Sequence, residues 1–202
     1  HRTERFNPNE TVREVERLLS RTIPKIIELD THLEEELDDV LGDPGQLCQA
    51  VMNLCINAVD AMPDGGSLVL VTESVMKDKQ RHIAIRVRDT GTGMDAETKQ
   101  RVFEPFFTTK ETGKGSGLGL SMVYGTIAQF GGSVDIDTEP GKGTTISFVL
   151  PAVDESDPTQ SRDSVPIPSN QSMDETILVV DDELPIRKAS KRILESQGYR
   201  VL

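Results

Sequence analysis

Basic residues are in short supply: 22 Lys and Arg stand against 34 Asp and Glu in 202 residues, a formal net charge of −12. That deficit argues against a nucleic-acid coat and a polybasic membrane anchor. Long apolar runs are also missing. None approaches the ~18 residues of a membrane span, and no signal-peptide pattern opens the chain. The expectation is therefore a protein with no nucleic-acid partner and no direct membrane contact. Cysteine is scarce too, with only Cys48 and Cys55, seven positions apart. In a helix that spacing is roughly 10 Å along the axis, beyond disulfide reach, so two reduced thiols in a reducing compartment are expected. No internal repeat is visible.

The acids that are present are unevenly placed. Glu28 to Asp43 holds eight acids and no Lys or Arg, and residues 152–175 hold six acids against Arg162. These two stretches carry −8 and −5, which leaves the rest of the chain near +1. The length suits one ordinary domain plus part of another. A start at His1 rather than Met is expected of a piece excised from a longer protein.

Hydrophobic spacing sets the elements. Val12, Val15, Leu18 and Leu19 recur at helical intervals over 11–21. KIIEL, near 25–29, reads as a strand. Asp43-Pro44 is a helix start, with Asp43 as N-cap and Pro44 in the first position. That helix runs to about Met62, where Pro63-Asp64-Gly65-Gly66 breaks it. Ser67–Glu73 and His82–Asp89 alternate as a hairpin pair of strands. A Gly/Thr/Lys-rich segment spans Thr90–Ser116, an apolar helix covers Leu118–Phe130, and Ser133–Thr138 and Thr144–Leu150 are further strands. The class is α+β: a mixed sheet with helices on one face. Beyond Pro151 the composition turns to Ser, Pro and Asp, a flexible linker over 152–173. Residues 174–202 then carry TILVVDDE from Thr176, read as a buried parallel strand followed by a helix near 184–197 and a strand start at Tyr199. So short a tail cannot enclose a core by itself.

Four segments carry possible chemistry. In the helix after Asp43, Leu47, Val51, Leu54, Ala58 and Ala61 form an apolar face, while Gln49, Asn53, Asn57 and Asp60 form a polar stripe. The stripe is either a solvated face or a row aimed at a ligand, since an amide oxygen suits Mg²⁺ already bound to phosphate. Asp89-Thr90-Gly91-Thr92-Gly93 leaves a strand end, either as a plain turn or as a carboxylate projected into a cleft with close backbone approach. Gly113-Lys114-Gly115-Ser116-Gly117-Leu118-Gly119 alternates glycines before a helix. It is a flexible loop or a phosphate cradle at a helix N-terminus. Phe103-Glu104-Pro105-Phe106-Phe107-Thr108-Thr109-Lys110 places half of the six phenylalanines within five residues of a loop, the mark of a segment that docks on something. Residues 98–119 carry Lys99, Arg101, Lys110 and Lys114 against Glu104 and Glu111, a locally positive segment that a polyphosphate would favour.

NLCINAVDAM, DTGTGM, FEPFFTTK and GKGSGLGL, in that order and spacing, resemble the N, G1, F and G2 boxes of the ATP-binding catalytic domain of sensor histidine kinases, members of the GHKL superfamily. FEPFFTTK and NAVDAMP are nearest to the nitrogen-regulatory type. The resemblance covers residues 1–151 and implies a two-layer α/β sandwich with a long ATP lid. It assigns Asn57 to Mg²⁺, Asn53 to the phosphate neighbourhood and Asp89 to the adenine amino group. Gly91, Gly93, Met94 and Thr144 would then surround the adenine. Phe106 and Phe107 would anchor the lid, Thr108 and Thr109 would belong to the nucleotide site, and Lys110, like Lys114, would contact phosphate. Lys114, Gly115, Ser116, Gly117, Leu118 and Gly119 would wrap the triphosphate, with Asp60 at the same end. Many such kinases carry Lys or Arg where this chain has Asp60.

Related ATPases of the superfamily place a water-activating Glu four residues before the metal Asn. Here that position is Asn53, which cannot act as a general base. Slow water attack suits phosphoryl transfer to histidine, and the implied catalytic pair is Asn53 and Asn57. His1, His32 and His82 lie in no phosphoacceptor context, so the accepting histidine belongs to a separate dimerisation hairpin of the same parent protein. The tail resembles the start of a response-regulator receiver domain, in which Asp181 and Asp182 would help hold Mg²⁺; simple decoration of a helix N-terminus is the other reading. The implied parent is a bacterial, cytoplasmically placed hybrid histidine kinase using ATP and Mg²⁺, tethered or not through segments upstream. A GHKL-type ATPase or ATP-gated interaction module is the alternative.

Overall fold

The computed structural model describes residues 3–110, 116–153, 176–178, 191, 194 and 199–202. The chain separates into two compact units, His1–Ser156 and Asp157–Leu202. In the first, a five-stranded sheet has the order β2-β4-β5-β7-β6, built from β2 (Ile27–Leu33), β4 (Gly66–Lys77), β5 (Gln80–Asp89), β6 (Ser133–Glu139) and β7 (Gly143–Pro151). β2 pairs parallel with β4 and every other pairing is antiparallel, so the sheet is mixed, as expected. A short ribbon joins β1 (Glu4–Phe6) to β3 (Val40–Gly42). Helices α1 (Pro8–Thr22), α2 (Pro44–Asp60) and α4 (Gly119–Gln129) bury their apolar sides in one core with the sheet. This is the α+β class read from the sequence.

Alternation along the strands decides which face is buried. Leu68, Leu70 and Thr72 on β4, Ile83, Ile85 and Val87 on β5, and Ile146, Phe148 and Leu150 on β7 all point into the core. Their neighbours in sequence, such as Glu73 and Arg86 (paired at 2.6 Å), lie on the wetter face. A sheet with one solvated face is what antiparallel pairing permits. The helices follow their caps. Asn7 accepts from Asn9 N–H at 3.0 Å ahead of Pro8. Asp43 accepts from Gly45 and Gln46 ahead of Pro44. Leu18, expected on the buried side of α1, is instead 48% exposed; Val12, Val15 and Leu19 form the buried stripe.

The acidic stretch is structured. It contains most of β2 and all of β3, with Arg5 paired to Asp39 at 2.6 Å and Arg81 to Asp38 at 2.8 Å. A buried polar link ties α1 to the sheet: Thr72 Oγ1 donates to Asn9 Oδ1 at 2.6 Å, and Asn9 Nδ2 donates to Glu34 O at 2.7 Å. Cys48 and Cys55 are both free thiols of α2. Burial pushes the Cys55 thiol up to about 12. His32 lies on β2 within 3.0 Å of Asp30, largely exposed.

In the second unit, β8 (Thr176–Ile177) pairs parallel with β9 (Arg200–Val201). Parallel neighbours need a crossover connection between them. The helix expected near 184–197, apart from Lys191 and Leu194, and the whole of Asp181-Asp182 lie outside the described residues. No helix among the described residues is long and apolar enough to cross a membrane.

Candidate functional site

The site follows from strand register. Leu68 on β4 stands opposite Asp89 on β5, Asp89 opposite Thr144 on β7, and Thr144 opposite Thr138 on β6. One row at the sheet end therefore turns three polar side chains toward the helix layer. Asp89 is 6% exposed. Its Oδ1 accepts from Gly91 N–H at 2.8 Å and Thr144 N–H at 3.2 Å. Burial pushes its carboxyl above the usual carboxylate range, and those two N–H bonds offset this only in part. Oδ2 makes no hydrogen bond with the described residues, so one oxygen is fixed and the other is available.

Helix α2 supplies the facing wall. Leu47, Ala50, Val51, Leu54, Cys55 and Ala58 are buried, and Asn57 and Asp60 lie on the side that carries the site. The loop after β5 is clamped to the end of this helix. Thr92 N–H donates to Ala61 O at 3.0 Å, and a Cβ on Gly91 would lie 2.5 Å from that oxygen. Gly93 has φ +65° and a Cβ there would meet Glu139 O at 2.0 Å. Its glycine requirement thus comes from packing against the β6–β7 turn. Met94 N–H donates to Thr138 Oγ1 at 2.9 Å, and Thr138 Oγ1 lies 3.0 Å from Thr144 Oγ1.

Between these walls lies a cavity of about 450 Å³. Its inner end is apolar, lined by Leu54, Ala58, Val87 and Ile146, with Asp89 and Thr144 at the floor. Its outer end gathers Asn57, Asp60, Lys110, Ser116, Gly117 and Gly119. Lys110 Nζ donates to Asn57 Oδ1 at 3.2 Å and pairs with Asp60 Oδ2 at 2.5 Å. The N-terminus of α4 opens here without a side-chain cap, and a Cβ on Gly119 would stand 3.8 Å from Asn57 Nδ2. Uncapped N–H groups and the positive helix end favour an anion.

Of the residues singled out in the sequence, Asn57, Asp60, Asp89, Gly93, Met94, Phe107, Thr108, Thr109, Lys110, Ser116, Gly117, Gly119 and Thr144 line this cavity. Asn53, Gly91, Phe106 and Leu118 are not in its lining. Gly91 acts through its N–H to Asp89. Phe106 has φ +67° and is 75% exposed; its backbone, not its ring, makes the junction, donating to Gly117 O at 2.9 Å. Gly117, at φ +66°, could not carry a Cβ there, which would fall 2.4 Å from Phe106 C. Packing from this segment comes from Phe103, whose ring lies 5.5 Å from that of Tyr124, and from Phe107 under the Arg101 guanidinium at 4.5 Å. Lys114, Gly115, Asp181 and Asp182 lie outside the described residues. The sequence placed Leu54, Ala58 and Ala61 on an apolar helix face but assigned neither them nor Thr138, Val87 and Ile146 to the site. Inward alternation on β5 and β7 was the signal for Val87 and Ile146, whereas Thr138 needed the register. A short helix, α3 (Ala96–Arg101), also sits inside the segment read as loop.

The histidine kinase-, DNA gyrase B-, and HSP90-like ATPase family matches residues 42–154. Sensor kinase CckA of Brucella abortus (strain 2308) is 39% identical over 220 aligned positions, covering 99% of this chain and 23% of that protein. The catalytic domain of histidine kinase ThkA, in a nucleotide-free form, superposes with a TM-score of 0.65 at 29% identity, covering 75% of this chain and 99% of that one. Full-length ShkA in complex with AMPPNP gives a TM-score of 0.66 at 25% identity, covering 98% of this chain and 40% of that one. The chain belongs to the histidine kinase-, gyrase B- and HSP90-like ATPase family, and its first unit has the fold of a histidine kinase catalytic domain. It spans less than a quarter of the length of the Brucella kinase.

Proposed function

We propose that the first unit binds Mg²⁺-ATP in this cavity and passes the γ-phosphoryl group to a histidine on a separate dimerisation hairpin of the same parent protein. The observation that carries this is Asp89: one carboxylate oxygen is fixed by Gly91 and Thr144, and the other is free in a cavity whose lining there includes Leu54, Val87 and Ile146. A flat base with an exocyclic amino group fits that end, with the amino group donating to Oδ2. Val87, Ile146 and Leu54 would cover its faces. The phosphates would then point outward to Asn57, Lys110 and the α4 N-terminus.

The donor set at that end suits Mg²⁺ that arrives on phosphate. Among the described residues no group of three or more His, Cys, Asp or Glu could hold a metal unaided. Asn57 Oδ1 already accepts from the Lys110 cation, and an amide oxygen has a second lone pair. Mg²⁺ keeps waters and phosphate oxygens with only one or two protein ligands; Asn57 would be that ligand. When bound, the ion would neutralise phosphate charge. The chain's own residues position the nucleotide: Asp89 fixes the base, the α4 N–H groups hold oxygens, and Lys110 adds charge. Asn53 has no proton-accepting form near neutral pH, so no base stands one turn before Asn57 to activate water. This favours transfer over hydrolysis.

The parent is read as a hybrid kinase of nitrogen-regulatory type, with a linker at 152–173 and the start of a receiver domain at 174–202. The residues FEPFFTTK and NAVDAMP carry the kinase type, and the parallel β8–β9 pairing fits the start of a receiver domain. The test mixes the chain, Mg²⁺ and γ-labelled ATP with the parent's hairpin. Acid-labile, base-stable label on the hairpin histidine is expected. Steady phosphate release with no transfer would refute the kinase reading and leave an ATPase.

A further inference from the structure

Asp60 sits at an electrostatically poor place. It occupies the last turn of α2, where the helix dipole disfavours an acid, and that turn contains no basic residue. It also faces the cavity end that carries Asn57 and the α4 N-terminus. An unpaired carboxylate there would repel a polyphosphate. The structure gives it a partner from a distant segment: Lys110, fifty residues on, pairs with Asp60 Oδ2 at 2.5 Å and donates to Asn57 Oδ1 at 3.2 Å. Both side chains are partly exposed, 34% for the lysine and 47% for the acid. An ammonium has three donors, so these two bonds leave one for a ligand oxygen.

We propose that Asp60 is a positioning residue: it holds Lys110 over the phosphate end of the cavity, where the lysine supplies the cation that the end of α2 lacks. This rests on the reading of the cavity as an ATP site and adds to it how one phosphate-facing charge is placed. The consequence is a reversal of sign. With Lys110 present, removing the Asp60 charge releases the lysine and weakens ATP binding. With Lys110 gone, the same change removes only a repulsive acid and strengthens binding.

Titration calorimetry on the whole chain with Mg²⁺-ATP and with adenosine tests this in four proteins: wild type, Asp60→Asn, Lys110→Met and the double variant. Asp60→Asn is expected to weaken ATP binding about threefold, the scale of a partly exposed ion pair, and to leave adenosine binding unchanged. In the Lys110→Met background, Asp60→Asn is expected to tighten ATP binding. Asp60→Glu should restore most of the loss. As an independent readout, tryptic cleavage after Lys110 without nucleotide should quicken in Asp60→Asn. Tightening or no change on Asp60→Asn alone, the same sign in both backgrounds, or an equal loss for adenosine would overturn the proposal. Wild type that binds neither ATP nor adenosine would instead overturn the reading of the cavity.

Discussion

Asp89→Asn changes one carboxylate oxygen for an amide nitrogen in the cavity lining and leaves the volume nearly unaltered. The amide oxygen can still accept from Gly91 N–H and Thr144 N–H, now at 2.8 and 3.2 Å from Asp89 Oδ1. The other position becomes a donor facing the donor of a bound adenine. One charge-assisted hydrogen bond, about 1.5–3 kcal/mol, is lost, which is roughly a tenfold to hundredfold weakening of ATP binding. Fold stability should move the other way. Burial raises the Asp89 carboxyl above its ordinary value, so the folded state keeps the proton to higher pH than the unfolded chain does. That contribution is present at low pH and is lost as pH rises from the unfolded value through the folded one. Near neutral pH the buried carboxylate costs stability, and the neutral amide of the Asp89→Asn variant would remove that cost. Calorimetric titration with ATP, alongside a thermal melt, reads both effects. Guanine presents a carbonyl where adenine presents an amino group, so the variant should also lose its preference for ATP over GTP. ATP affinity within about twofold of wild type with an unchanged melt would refute the assignment of Asp89 to the base.

Two further outcomes follow from residues on α2. Asn57→Ala puts the best helix former into an intact helix and should not lower the melt while abolishing the Mg²⁺ dependence of ATP affinity; equal affinity gains from Mg²⁺ in both proteins would sink the metal assignment. Cys55 is held as a thiol up to about 12 against an ordinary 9.0, so the folded protein binds a proton that the unfolded chain releases above about pH 9. Denaturant stability should therefore fall as pH rises from about 9 toward 12 more steeply in wild type than in Cys55→Ala, and iodoacetamide should label Cys55 only on unfolding; parallel pH slopes would contradict the burial argument.

Elements with a local cause were legible in the sequence, and elements made by pairing were not. Asp43-Pro44 fixes the start of α2 through two N–H bonds to one side chain, and the alternation in β4, β5 and β7 needs no partner to be seen. β1 and β3 are three residues each and exist because Glu4–Phe6 and Val40–Gly42 bond one another; neither carries enough pattern alone. The same division runs through the candidate site. Asn57, Asp89, Gly117 and Gly119 were found because unusual residue types recur there at telling intervals. Thr138 was not, because a threonine in a strand is ordinary until β6 is paired to β7 and it faces Thr144. Asp60 is the instructive case. By sequence it stands where many such kinases carry Lys or Arg, so α2 on its own offers no cation at this place. In three dimensions the charge that counts belongs to a pair, and its cationic half, Lys110, comes from the other wall of the cavity. A position where the local rule fails, as an acid at a helix C-terminus does, is therefore where a long-range partner should be sought first.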